Sequence, residues 1–243
     1  MTKTDWFATW FDTSYYHILY KKRDDAEAKN FITNLVGALD LKEGAKVLDL
    51  ACGKGRHSIT LNQLGFNVLG VDLSENSIKE ASKHATEGLR FGVQDMREPL
   101  DEQFDAVFNL FTSFGYFDSI QDNDRVIQAM SEMLDDNGTL VIDFMNSFKV
   151  IEQLVKKEEK EVDGIHFNIE RKYTGTHVVK DIRFSADGRN HHYTETVQAL
   201  LLEDFQGLLE KHGFQIESLY GNFDLDTFNK ETADRLIIVA KKK

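Results

Sequence analysis

A short apolar run, Val47 to Ala51, ends in Cys52-Gly53-Lys54-Gly55 and passes directly into a helical pattern from Arg56. A run of that length bounded by glycines reads as a buried strand. Gly-x-Gly between a strand and a helix lets the backbone turn sharply and come close to a ligand. The helix behind it presents free N–H groups. Nineteen residues after Gly53, a second strand, Asn67 to Leu73, carries Asp72 at its end. A carboxylate there accepts hydrogen bonds from both hydroxyls of a ribose. Together these features describe a nucleoside-containing cofactor at the carboxyl ends of parallel strands.

The remaining pattern fits that frame. Asp24 to Leu39, Arg56 to Leu64 (closed by Gly65), the segment from Ser74 to Lys83 and Asn123 to Leu134 read as helices. Arg90 to Gln94, Asp105 to Leu110 and Thr139 to Phe144 read as strands, the last set off by a turn at Asn137-Gly138. Alternation of this kind predicts an α/β fold. The expected architecture is a doubly wound, mostly parallel seven-stranded sheet with an antiparallel last strand, plus a small antiparallel β insertion. That insertion is a three-stranded meander: Val162–Tyr173, Val178–Ser185 and Asn190–Leu200, with a turn at Asp187-Gly188. The charged run Lys156 to Glu161 before it reads as a solvated helix face. Three parts are expected: an N-terminal helical lid segment (1–40), the cofactor-binding domain (41–160 and 201–243) and the meander (161–200) as a lid over the substrate.

The identity of the cofactor turns on two residues. A dinucleotide site wants a third glycine where this chain has Ser58. Asp49, at the end of the first strand, repels a pyrophosphate and suits a cationic amino-acid head group. S-adenosylmethionine has such a head group and no phosphate. The segments Val47–His57, Val68–Ser74, Gln94–Arg97, Phe104–Phe117, Leu134–Asp143, Glu203–Phe214 and Arg235–Lys241 resemble the class I, Rossmann-like S-adenosylmethionine-dependent methyltransferases. The FTSFGYF segment, Phe111–Phe117, resembles a bacterial subgroup with an inserted meander.

The resemblance implies a role for each matched residue. Asp49, Ala51, Gly53 and Gly55 line the methionine part of the cofactor. Asp72 holds the ribose, and Leu73 lies against the adenine. Asp95 and the Met96 N–H read the adenine edge. Asn109 and Leu110 sit beside the sulfonium, and Tyr20 closes over the site. Tyr16, Phe114, Tyr116, Asn146, Arg171 and Tyr193 are the candidates for substrate contact. No residue stands out as a general base. Tyr116 and His191 are the leading candidates, with His192 and Asp143 behind them. Cys52 reads as a packing residue inside the loop.

Composition narrows the acceptor. The chain carries 29 basic and 41 acidic residues, a net charge of −12. That balance disfavours a nucleic-acid partner. A single cysteine excludes an internal disulfide, and no apolar run is long enough to span a membrane. A cytoplasmic methyltransferase of a small molecule, monomeric or homodimeric, without metal, is the leading expectation. The alternatives are an RNA or protein acceptor, a nicotinamide-dependent oxidoreductase and a non-catalytic binding module.

Overall fold

The computed structural model describes residues 6–21, 25–117 and 119–243. Met1 to Asp5 of the N-terminal segment and Asp24, the expected start of a helix, lie outside them. The chain begins with two short helices, α1 (Trp6–Trp10) and α2 (Ser14–Leu19), and continues with α3 (Asp25–Ala38). It then alternates: β1 (Lys46–Leu50), α4 (Arg56–Gln63), β2 (Asn67–Asp72), α5 (Glu75–Ala81), β3 (Leu89–Val93), β4 (Phe104–Asn109), α6 (Ile120–Met133) and β5 (Leu134–Met145). After α7 (Ser147–Glu152) come β6 (Lys157–Val162), β7 (Ile165–Tyr173), β8 (His177–Ala186) and β9 (Arg189–Gln198). The chain closes with α8 (Leu202–Lys211), β10 (Phe214–Tyr220) and β11 (Arg235–Lys242).

The main sheet has the order β10-β11-β5-β4-β1-β2-β3. Strands β1 to β5 pair in parallel, and β11 lies antiparallel to both β5 and β10. The connections reverse direction between β1 and β4, the place where open α/β sheets form a crevice at their carboxyl ends. Both faces of the sheet are covered. On one, Phe31, Ile32, Leu35 and Leu61 of α3 and α4 pack on Val47, Val68 and Phe108. On the other, Val126, Met130 and Met133 of α6 join Phe205 and Leu209 of α8 against Leu48, Val107 and Leu140. Apolar burial on two faces is why these strands read as continuous apolar runs.

Three local expectations are corrected. Of the run Lys156 to Glu161, all but Lys156 belongs to a strand, not to a helix. Val162 is followed by Asp163-Gly164, whose positive φ values of 49° and 77° make a tight hairpin turn. The inserted sheet therefore has four strands, in the order β6-β7-β8-β9. Asn137-Gly138 does not separate α6 from its strand. Strand β5 starts at Leu134, and Asn137 (φ 62°) lies within an irregularity where the pairing with β4 shifts register. Helix α6 begins earlier than its apolar pattern, at Ile120, because the Ser119 hydroxyl accepts from the Asp122 N–H at 3.1 Å.

The four-stranded sheet forms a third core with the N-terminal helices. Trp10 and Leu19 are buried against Phe167, Ile169, Ile182 and Phe184. Glu195 of β9 accepts from Trp10 Nε1 (2.7 Å) and from the Tyr20 hydroxyl (2.7 Å).

Gly55 gives a direct test of how tightly α4 is seated. Its φ is +80°, and a Cβ there would stand 2.6 Å from the Phe91 ring. Gly55→Ala should cost about 2–4 kcal/mol, strain and overpacking together, in urea unfolding. Gly53→Ala should cost less, because only its φ of +56° opposes a side chain and nothing lies within 4 Å. Equal losses would contradict this packing.

Candidate active site

A cavity of about 380 Å³ opens at the carboxyl ends of β1, β2 and β4. The turn Ala51 to Lys54 forms one wall, with Arg56 and His57 from the start of α4. Asp72, Leu73 and Ser77 form a second, and Gln94, Asp95 and Met96 a third. Leu110, Phe111, Ser113, Tyr116 and Phe117 come from the segment after β4. Phe7 of α1, Phe11 from the turn after it, and Tyr16 and His17 of α2 close the cavity, and Tyr20 and Lys21 follow them.

The glycine turn and Asp72 form one unit. Gly53 donates its N–H to one Asp72 oxygen at 2.8 Å, and Ser74 donates to the other at 2.9 Å. Burial pushes the Asp72 carboxyl up, and these N–H groups oppose it. Asp12, at the corner between α1 and α2, accepts from the Ser74 hydroxyl at 2.6 Å and from the Asn76 amide. The N-terminal helices are thus tied to the same edge. Burial also pushes the Asp95 carboxyl up, but the Arg97 side chain and N–H outweigh it and hold the carboxyl below its ordinary value. Arg97 reaches both Asp95 oxygens through Nε and Nη2, at 2.6–3.1 Å.

Two buried groups of the loop are inert as nucleophile or base. Burial, reinforced by the charges of Asp49 and Asp72, raises the Cys52 thiol well above its ordinary value. Burial and the Arg56 charge push His57 down to about 3, so its imidazole is neutral. The ring lies 4.8 Å from that of Phe111, and its Nε2 has no partner among the described residues.

The structure brings together Tyr16, Tyr20, Ala51, Gly53, Asp72, Leu73, Asp95, Met96, Leu110 and Tyr116 around this cavity. The other predicted site residues lie elsewhere. Asp49 sits beneath the turn, where its carboxylate accepts from the Ser58 hydroxyl at 2.6 Å. Gly55 packs on Phe91. Asn109 donates to Leu50 O at 2.9 Å and binds β4 to β1. Phe114 is core, 5.4 Å from Phe205. Asn146 donates to Lys230 O and Ala233 O, and so secures the loop before β11. Arg171 pairs with Glu158 inside the inserted sheet. Tyr193 stacks on Trp10 at 4.4 Å, and His191 stacks on Phe184 at 4.8 Å. His192 pairs with Asp181 on the same sheet. Asp143 is wholly buried and bonded to Arg235.

The inserted sheet, expected as a lid, brings no described residue of β6 to β9 to the cavity lining. Its inner face is spent on holding α1 and α2, and those helices provide the closure. Phe7, Phe11, His17, Arg56 and His57 were not among the individual site residues expected from the sequence. Phe7 and Phe11 are spaced i, i+4 in an aromatic-rich segment. Arg56 and His57 follow Gly55 directly. Both signals were present in the sequence.

Comparison with known proteins agrees with this geometry. Residues 41–199 match the family model described as a methyltransferase domain. The chain belongs to that family. A Bacillus subtilis relative, the putative methyltransferase YqeM, is 30% identical over 83% of this chain and 86% of its own. The glycine/sarcosine N-methyltransferase of Aphanothece halophytica is 30% identical over 93% of this chain and 85% of its own. In three dimensions the chain is similar to an S-adenosylmethionine-dependent methyltransferase from Clostridium acetobutylicum. The TM-score is 0.79 at 22% identity, over 94% of this chain and 96% of the other. Among the described residues, no helix is long and apolar enough to cross a membrane.

Asp49 yields a pH prediction. Burial raises its carboxyl to about 6, Ser58 opposes this, and the Asp72 charge adds to it. The folded state then holds a proton that the unfolded chain has already released, so this group's contribution to stability falls as pH rises from about 4 to 6. Asp49→Asn removes that dependence. The variant should gain stability over the parent as pH rises through this window, levelling off at up to about 3 kcal/mol above it. Urea unfolding at pH 4.5 and pH 7.5 measures the difference. A constant difference would contradict the buried, protonatable Asp49.

Proposed function

We propose that the protein transfers a methyl group from S-adenosylmethionine to a nitrogen atom of a small amine. The observation that carries this reading is one cavity in which the glycine turn and Asp72 share space with an aromatic wall closed by α1 and α2. The residues present fit the cofactor. A Cβ on Gly53 would meet nothing within 4 Å, so the turn leaves room for a ligand. Asp72 suits the ribose hydroxyls, Leu73 the adenine face, and Asp95 with the Met96 N–H the adenine edge. The cofactor, when bound, supplies an electrophilic methyl on a sulfonium. The chain's own work is alignment of the acceptor and exclusion of water, worth up to ~7–11 kcal/mol.

Nitrogen is favoured over oxygen by what the wall offers as a base. Asp143 and His191 are committed outside the cavity, His57 is too weakly basic to hold a proton at neutral pH, and burial with the Lys54 charge pushes the His17 imidazole down as well. A small amine is mostly an ammonium ion at neutral pH and releases its proton to solvent before it attacks, whereas an alcohol is far less acidic and needs a positioned base. Phe7, Phe11, Tyr16 and Tyr116 enclose the acceptor side in rings 4.8–6.3 Å apart. Aromatic faces attract the cationic form of an amine and the cationic product. The relative that methylates glycine and sarcosine supports the same acceptor class. A net charge of −12 opposes a polyanionic acceptor.

Two measurements test this. Release of S-adenosylhomocysteine should be stimulated by one or more of glycine, sarcosine, short primary amines and amino sugars, and not by the matching alcohols. Stimulation by alcohols alone would overturn the nitrogen assignment. In calorimetry, Asp72→Ala should bind S-adenosylhomocysteine about 1–3 kcal/mol more weakly, the cost of losing hydrogen bonds to a charged group. Unchanged affinity in a folded variant would remove Asp72 from the ribose.

A further inference from the structure

Phe111 and Thr112 follow β4 directly at the cavity, and both have left-handed backbones, with φ of 57° and 60°. Consecutive non-glycine residues in this region are strained, and for a β-branched threonine the conformation is an outlier. Such strain persists only where the surroundings impose it. Here Asp143 and Arg235 impose it. The Phe111 N–H donates to Asp143 Oδ2 at 2.8 Å, and the Thr112 N–H to the Asp143 backbone oxygen at 2.9 Å. Arg235 Nε donates to Asp143 Oδ1 at 2.8 Å, and its Nη2 to the Thr112 hydroxyl at 2.9 Å. The Arg235 guanidinium also lies 5.6 Å from the Phe223 ring, which stacks on Phe111 at 5.0 Å.

Neither Asp143 nor Arg235 lines the cavity, whereas Phe111 does. Asp143 is completely buried on β5, and Arg235 opens β11, the neighbouring strand. As a mere tie between two strands the pair would be a poor device, since apolar residues of similar volume do as well. Its bonds instead run to the two strained residues. We propose that Arg235 is a positioning residue: through Asp143 and Thr112 it holds Phe111 and Thr112 in their left-handed conformations and thereby fixes the acceptor-side wall. Phe111 is the ring of this segment that lines the cavity, with the Arg56 guanidinium 4.4 Å from its centre. This rests on the methyltransferase reading only for what the wall faces.

The other end of the same segment is held in a comparable way. The Gln198 N–H donates to Gly115 O at 2.7 Å, its side-chain amide donates to Phe117 O at 2.7 Å, and its Oε1 accepts from Asn123 at 2.7 Å. The wall is therefore pinned at both ends by buried polar groups, and the Arg235 end bears the strain.

The test uses the full chain as Arg235→Gln, Arg235→Lys and the double variant Arg235→Gln/Thr112→Gly. Calorimetry with S-adenosylhomocysteine reads the cofactor side. The His57 imidazole signals in NMR read Phe111, whose ring lies 4.8 Å away. Methyl transfer to the acceptor found above reads the wall. In Arg235→Gln, S-adenosylhomocysteine affinity should stay within about threefold. The His57 signals should move while those of His84 do not, and kcat/KM for the acceptor should fall about a hundredfold. Arg235→Lys, which cannot reach Asp143 and Thr112 together, should be intermediate. Thr112→Gly should restore the His57 signals and part of kcat/KM in the Arg235→Gln background, because glycine takes positive φ without strain. Loss of a purely structural ion pair would not be rescued by that change.

His57 signals unmoved in Arg235→Gln, or a double variant no better than the single one, would overturn the proposal. So would cofactor affinity falling in step with the acceptor. If Arg235→Gln does not fold, Arg235→Lys with and without Thr112→Gly carries the same comparison. The His57 readout needs no acceptor, so a failure of the proposed function and a failure of this inference are distinguishable.

Discussion

Between β1 and α4 the chain must turn sharply at the edge of the cavity, and the surrounding structure is arranged around that requirement. Gly53 makes the turn and hands its N–H to Asp72, so the end of β2 is fixed to the loop after β1. Underneath, Ser58 donates to the buried Asp49. The room for that pair comes from β2. A Cβ on Gly70 would stand 2.7 Å from the Ser58 hydroxyl oxygen and 2.8 Å from Phe91. The close approach of helix and sheet, which a glycine at position 58 would otherwise permit, is provided here by a glycine on the strand. That exchange brings a polar bond and a protonatable carboxyl directly beneath the turn.

The second half of the molecule supports the first without touching the cavity. The four-stranded sheet uses its apolar face to seat Trp10 and Leu19. From β9, Glu195 accepts from Trp10 and Tyr20, and Lys180 of β8 reaches the Tyr20 hydroxyl. From the end of β9, Gln198 holds the Gly115–Phe117 backbone. The inserted sheet therefore acts on the cavity twice, through the helices that close it and through the segment that forms its aromatic wall. Tyr116 is where the two meet, with the rings of Trp6 and Phe11 at 5.3 and 5.2 Å.

Much of this was legible from residues. The apolar runs of β1, β2, β4 and β5 announced a sheet buried on both faces, and Gly53 with Asp72 announced the edge at which the cavity opens. The glycine turn is a local device with a local signature. The strand β6 was not recovered because Lys157 to Glu161 is charged at every position and gains its identity only by pairing with β7, although Asp163-Gly164 marked the hairpin. Asp143, Asn146 and Tyr193 were assigned to the wrong tasks for a different reason. Their partners lie 92, 84 and 87, and 183 residues away in the chain, respectively. Polar and aromatic residues near a strand end or on an insertion look alike in sequence whether they meet a ligand or a distant strand. Arg235 carried no local signal, because its role exists only where β11 lies beside β5.

The central claim is that cofactor and acceptor share a cavity closed by α1 and α2, while the inserted sheet stands behind them. Hydrogen–deuterium exchange with and without S-adenosylhomocysteine tests it most directly, since amides at the ligand and in segments that close over it slow their exchange. The account predicts slowed exchange in residues 51–57, 72–77, 94–96 and 110–117 and in the helices α1 and α2, with β6 to β8 unchanged. Slowed exchange concentrated in β6 to β8, with α1 and α2 unaffected, would contradict it.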